Sequence, residues 1–239
     1  MKPQNIFLVR HGQSVGNADK NVYKDLPDYA LPLTELGKQQ ALEAGKRLVA
    51  ITGTGEVQFY VSPFFRTRET FLEVQKSFPR YKFYEDPRLR EQEWGQNMES
   101  REGYREKVEE YRDNYGHFYY RFRDGGESCA DVFDRISDFL DTMFRDFQKR
   151  DFPRNTILVT HGMTMRLFIM RWFHCSVEEF ESWGNPKNGD FFHLKLDDVG
   201  EKYKLVNPPK LHTVRHPFQF DWKKTERPEF GYPRLGATV

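Results

Sequence analysis

Cysteine is almost absent from this chain. Cys129 and Cys175 are its only two, and neither sits in a Cys-x-x-Cys pair or at metal-ligand spacing from a histidine. A structural disulfide or a zinc site is therefore not expected, and a reducing, cytoplasmic setting is. Long apolar runs are missing as well. None approaches the roughly 18 consecutive residues of a membrane span. The first strand-like run already opens at Ile6, so no secretory leader is expected. Neither sign of charge dominates: Lys and Arg number 37 against 36 Asp and Glu. That balance argues against a dedicated binder of nucleic acid or of an anionic membrane.

Aromatic residues, by contrast, are plentiful at 16%, and the 239 residues suffice for a substantial core. The pattern along the chain alternates. Residues 6–9 (IFLV) form an unbroken apolar run of the kind buried on both faces of a parallel sheet. Residues 34–51 place Ala41, Ala44, Leu48 and Ile51 at helical spacing behind Thr34 as N-cap. A strand at 57–61 runs into Ser62-Pro63, read as N-cap and first residue of a helix to about 78. A further strand near 82–84 is followed by LREQEWG, 89–95.

Residues 97–122, charged and aromatic together, read as an excursion with some helix. A helix over 130–148 then carries Val132, Ile136, Phe139, Met143 and Phe147 on one face, with Glu127-Ser128 of GGES as an N-cap pair. Strand 156–160, helix 163–173 and strands at 190–196 and 202–206 complete the alternation. This is the pattern of a three-layer α/β/α sandwich around a mostly parallel sheet. One domain is expected over 1–206. Residues 207–239, rich in Pro, aromatics and basic residues, are expected to form an extended tail.

Two strand-like runs end alike, in Arg10-His11-Gly12 and in Thr160-His161-Gly162. Ligands of open α/β sheets sit at the carboxyl ends of strands, where helix N-termini offer free N–H groups suited to phosphate. The same edge should receive Arg66, in the first turn after strand 57–61, and Glu91, in the loop after the next strand. Two imidazoles, two guanidinium groups and one carboxylate at successive strand ends suit phosphoryl transfer.

The ordered set LVRHGQS with Asn17, SPFFRTRET, LREQEWG, GGES and VTHGMTMR resembles the histidine phosphatase superfamily, in its phosphoglycerate-mutase-like branch. Within that family, the stretches from Tyr119 to Leu140 and from Met170 to Gly189 resemble plant phosphoglycerate-mutase-like proteins and the fungal broad-range acid phosphatase. The resemblance implies that His11 is a nucleophile forming a phosphohistidine. Arg10, Asn17, Arg66, His161 and Gly162 would hold the phosphoryl group, and Glu91 rather than Glu93 would be the proton donor, with a raised pKa. Gln13 stands where relatives often have Glu, and Gly12 is expected to leave room for phosphate beside the ring. No cofactor or metal is implied, because arginines take the role magnesium has elsewhere. The partner would be a small phosphorylated substrate; relatives include monomers, dimers and tetramers, so the oligomeric state is left open.

His117, Arg121 and Arg123 lie in or after the excursion that resembles the family's substrate lid. His212 and His216 share helical spacing, but Pro217 speaks against a metal pair, and His174 and His193 read as structural. Cofactor-dependent mutases of the family carry a tryptophan soon after the first His-Gly motif and basic segments in the insertion. The stretch from Val15 to Thr34 lacks the tryptophan, and the insertion shows no such segments. A phosphatase is therefore expected ahead of a 2,3-bisphosphoglycerate-dependent mutase, and both ahead of an inactive binding relative.

Overall fold

The computed structural model describes residues 2–95, 104–197, 199 and 202–211. In chain order its elements are β1 (Asn5–Arg10), α1 (Val15–Ala18), α2 (Glu35–Thr52), β2 (Val57–Val61), α3 (Phe65–Val74), β3 (Tyr81–Glu85), α4 (Tyr104–Tyr115), α5 (Cys129–Phe147), β4 (Asn155–Thr160), α6 (Gly162–Phe173), α7 (Val177–Glu181), β5 (Phe191–Leu196) and β6 (Tyr203–Leu205). The strands form one sheet in the order β3-β2-β4-β1-β5-β6. The first four are mutually parallel, while β5 and β6 are added antiparallel. The expected three-layer sandwich is what forms.

Its layers follow from side-chain alternation along the central strands. Ile6, Leu8, Tyr60 and Leu158 point to one face, where Val132, Ile136, Phe139 and Met143 of α5 and Leu167, Phe168 and Ile169 of α6 cover them. Phe7, Val9, Phe59, Ile157 and Val159 point to the other, against Ala44 and Leu48 of α2 and Phe71 and Val74 of α3. β1, β2 and β4 are buried on both sides, as their continuous apolar runs require. Among the described residues no helix is long and apolar enough to cross a membrane.

Helix starts follow local capping chemistry. Thr34 accepts from the Gly37 N–H to open α2, and Ser128 with Asp131 forms a capping box at α5. The reading of Ser62-Pro63 as a cap needs correction: α3 begins at Phe65, with Phe64 in the cap position and no side-chain cap. The helix expected to continue to 78 ends at Val74 and passes into a 3-10 turn over Gln75–Ser77. Of the excursion, α4 is described; residues 96–103, and 212–239 with His212 and His216, lie outside the described residues. Residues 206–211 turn back to the β5–α7 side, where Leu211 bridges Trp183 and the Gly184 N–H donates to the Lys210 carbonyl at 2.8 Å.

Strand register brings the two His-Gly ends together. Arg10 lies opposite Thr160, so His11 and His161 leave adjacent parallel strands at one level. The His11 N–H still donates to the Thr160 carbonyl at 3.0 Å.

Candidate active site

His11 is 3% exposed and sits at the carboxyl edge of the sheet. Its Nδ1 lies 2.7 Å from the Gly12 carbonyl, an oxygen that only accepts, so the ring proton is on Nδ1 and the lone pair on Nε2. Burial, with Arg66 and Arg10 beside it, pushes the imidazole well below the usual histidine pKa, against a smaller opposite pull from the Gly12 carbonyl. The ring is therefore neutral near pH 7.

His161 is fully buried, its ring centroid 5.2 Å from that of His11. Its Nε2 is 2.8 Å from Ser62 Oγ, and Ser62 Oγ accepts the Phe64 N–H at 3.4 Å. Ser62 Oγ, one donor with two acceptor lone pairs, can serve either tautomer of this ring. Nδ1 is buried and has no partner among the described residues. Burial, then Arg66 and His11, hold this ring neutral too.

Arg10 Nη1 donates to the Pro186 carbonyl at 2.5 Å, while its buried Nε has no partner among the described residues. A Cβ added at Gly162 would lie 3.5 Å from that Nε and 3.0 Å from the Asn185 side chain, so the start of α6 closes directly onto Arg10. Gly12 acts differently from expectation. A Cβ there would meet the Gly37 carbonyl oxygen at 2.1 Å. Its missing side chain admits the first turn of α2, not a ligand. Arg66 is 4% exposed, with the Phe64 ring 5.0 Å from its Cζ, and its charge acts on both histidines.

Glu91 faces the first turn of α6. Oε2 accepts the Met163 N–H at 3.4 Å, and Oε1 the Thr164 N–H at 3.4 Å. Glu93 in the same loop is exposed. Asn17 accepts from Ser14 N–H and, at 3.0 Å, from Asn188 Nδ2, which also donates to the His11 carbonyl. Arg10, His11, Arg66, Glu91 and His161 thus come together, with Asn17 tied to the His11 backbone through Asn188. His117 receives a 2.8 Å contact from Arg112 Nη2 at its Nδ1 and hangs by its backbone N–H on Glu181. Arg121 is drawn to Asp131 at the start of α5, and Arg123 is exposed in the turn before that helix.

Sequence reasoning missed several residues. Glu127 is no cap: it forms a bidentate pair with Arg135 at 3.0 Å and a second pair with Arg90, and accepts the Glu93 N–H. Arg135 donates further to the carbonyls of Arg88, Arg90 and Glu91. Together they fix the loop that carries Glu91. The available signal was an arginine on the apolar stripe of α5, where burial demands partners. Burial raises the Glu127 pKa, but the Arg135 hydrogen bonds and charge outweigh it and hold the carboxyl below its usual value. Arg166, one turn into α6, is buried with its Nη1 on the Trp183 carbonyl, and burial lowers its pKa to about 10.

Fold and site define a class before any comparison: an α/β sandwich whose parallel strands deliver a neutral histidine pair and buried guanidinium donors to one edge. The chain belongs to the histidine phosphatase superfamily (branch 1), whose family model matches residues 6–208. It is 43% identical over 219 residues to the phosphoglycerate mutase-like protein AT74H of Arabidopsis thaliana, spanning 84% of this chain and 77% of that one. It is 28% identical to the broad-range acid phosphatase DET1 of Saccharomyces cerevisiae, over 85% of this chain and 89% of the relative. Among solved structures, mycobacterial glucosyl-3-phosphoglycerate phosphatase in complex with VO3 superposes with a TM-score of 0.62 at 21% identity, covering 86% of this chain and 99% of that one.

Proposed function

We propose that the protein hydrolyses phosphomonoesters through a phosphohistidine on His11. The observation that carries this reading is the free, neutral Nε2 of His11, beside two buried polar atoms without partners among the described residues, Arg10 Nε and His161 Nδ1. An oxyanion accepts from the Arg10 Nε–H and, with the His161 proton on Nδ1, from that ring as well. The name of DET1, an acid phosphatase, supports the same reading.

In the first step the Nε2 lone pair attacks phosphorus and the ester P–O bond breaks. The leaving oxygen takes a proton from Glu91, while Arg10, Arg66, His161 and Asn17 hold the non-bridging oxygens. Water then attacks phosphorus and returns its proton to Glu91, and the N–P bond breaks to release inorganic phosphate and neutral His11. The guanidinium groups offset the developing charge, so no metal or cofactor is needed, and the substrate is a small phosphorylated molecule. The domain acting in this way is residues 1–206.

The likeness to AT74H keeps phosphoglycerate mutase activity as the second reading. Phosphorus NMR separates the two, using purified protein with 3-phosphoglycerate and a trace of 2,3-bisphosphoglycerate. Inorganic phosphate released without 2-phosphoglycerate, and lost in His11→Ala, is the expected result. Rapid conversion to 2-phosphoglycerate with little free phosphate would make the protein a mutase.

A further inference from the structure

Arg66 does not stand in the pocket unaccompanied. Its Nη1 donates to the backbone carbonyl of Asp28 at 2.6 Å and to Oδ1 at 3.1 Å, and its Nη2 donates to Oδ2 at 3.0 Å. The arginine side chain is 4% exposed and the aspartate side chain 18%. One residue thereby takes three of the five guanidinium N–H groups. The two that remain, Nε–H and the second Nη2–H, lie along a single edge of the plane. Arg68 presents that edge to Glu85, and Arg135 presents it to Glu127. A side-on fork of this kind matches two oxygens of a phosphoryl group.

Asp28 is itself well placed to orient a partner. The Val15 N–H donates to the Pro32 carbonyl and the Thr34 N–H to the Gln13 carbonyl, each at 2.9 Å. The Leu33 N–H donates to Glu69 Oε2 of α3 at 2.6 Å. The segment from Asp28 to Thr34 is therefore stitched on one side to the residues just after His11. On the other it is stitched to the helix that carries Arg66. No motif in the sequence pointed to Asp28.

We propose that Asp28 is the positioning residue of Arg66, turning the remaining fork toward the phosphoryl group on His11 and offsetting one positive charge there. The proposal rests on the phosphatase reading above. Removing the carboxylate has two consequences of opposite sense. The freed guanidinium loses its orientation, which slows transfer. The pocket also gains net positive charge, which holds an anion at least as well. A purely structural aspartate would lower the melting temperature without separating turnover from anion affinity.

The experiment uses the full chain, with p-nitrophenyl phosphate as substrate and inorganic phosphate as competitive inhibitor. The variants are Asp28→Asn, Asp28→Glu, Arg66→Ala and the double variants with Arg66→Ala. Asp28→Asn is expected to lower kcat about tenfold to a hundredfold, with the phosphate inhibition constant unchanged or smaller. Asp28→Glu, which keeps the charge, should recover part of that loss and serves alone if the asparagine variant does not fold. On top of Arg66→Ala, either change should cost less than about twofold, because its target is gone. Wild-type kcat in both Asp28 variants, or losses that multiply in the double variants, would overturn the role of Asp28. An inactive wild-type protein would instead sink the phosphatase reading itself.

Discussion

The carbonyl of Gly12 accepts the Nδ1–H of His11 at 2.7 Å, and this contact decides which ring nitrogen is free to react. In the proposed mechanism, replacing the ring removes the nucleophile rather than a binding contact. His11→Ala is expected to reduce kcat by about a thousandfold or more, while the melting temperature stays close to that of the parent. A rate unchanged within twofold, measured by phosphate release, would contradict the role of His11.

The pH dependence follows from the same ring. Burial and the neighbouring arginines lower its pKa, so the reactive neutral form persists below the ordinary histidine value of 6.5. Once the ionisation of the substrate itself is subtracted, the acid limb of kcat/KM, where His11 takes a proton, should lie below pH 6.5, and loss of the proton that Glu91 donates gives the alkaline limb. An acid limb above 6.5 in the free enzyme would refute this.

Stability should share that sensitivity. His11 and His161 are held neutral in the fold, and burial lowers His193 to about 4. Unfolded, all three titrate near 6.5, so below that pH the unfolded chain binds more protons than the native one. The free energy of unfolding should be level above pH 6.5 and decline as pH falls from there. Urea titrations at pH 7.5, 6.5 and 5.5 read this directly; a midpoint that rises on acidification would be the wrong sign.

Much of this was legible in the sequence for a physical reason. Continuous apolar strands, Thr34 and Ser128 as caps, and histidines at two strand ends are local signals, and the sandwich and its reactive edge follow from them. What escaped were long-range polar contacts. Ser62 looks like a cap, yet its hydroxyl bonds His161 of another strand. Glu127 looks like a partner of Ser128, yet it answers Arg135 and Arg90. Asp28 has no neighbour in sequence that betrays its bond to Arg66. Such pairings depend on how loops meet, and periodicity does not report that.

The Glu127–Arg135 pair offers a test of how the Glu91 loop is held. Arg135→Met would leave the half-buried Glu127 without its main partner and free the carbonyls of Arg88, Arg90 and Glu91. A loss of about 3 kcal/mol in stability is expected. In the folded fraction kcat should fall more than KM changes, because Glu91, the proposed proton donor, is displaced. Wild-type stability and kcat would show that the loop stands without Arg135.

Gly12→Ala probes the packing beneath the site. The new methyl would meet the Gly37 carbonyl oxygen, and both backbones would have to separate. A cost of about 3 kcal/mol is expected, together with reduced activity, since the Gly12 carbonyl orients His11. A fully active variant of unchanged melting temperature would show that this approach is not tight.

The most direct measurement is the intermediate itself. Protein mixed with a phosphomonoester is quenched within milliseconds in alkaline denaturant, which preserves phosphohistidine, then digested and weighed by mass spectrometry. The mechanism predicts one added phosphoryl group on the peptide containing His11, on Nε2, and none in His11→Ala. Turnover with no phosphorylated peptide at any quench time, or with the label on another residue, would contradict it.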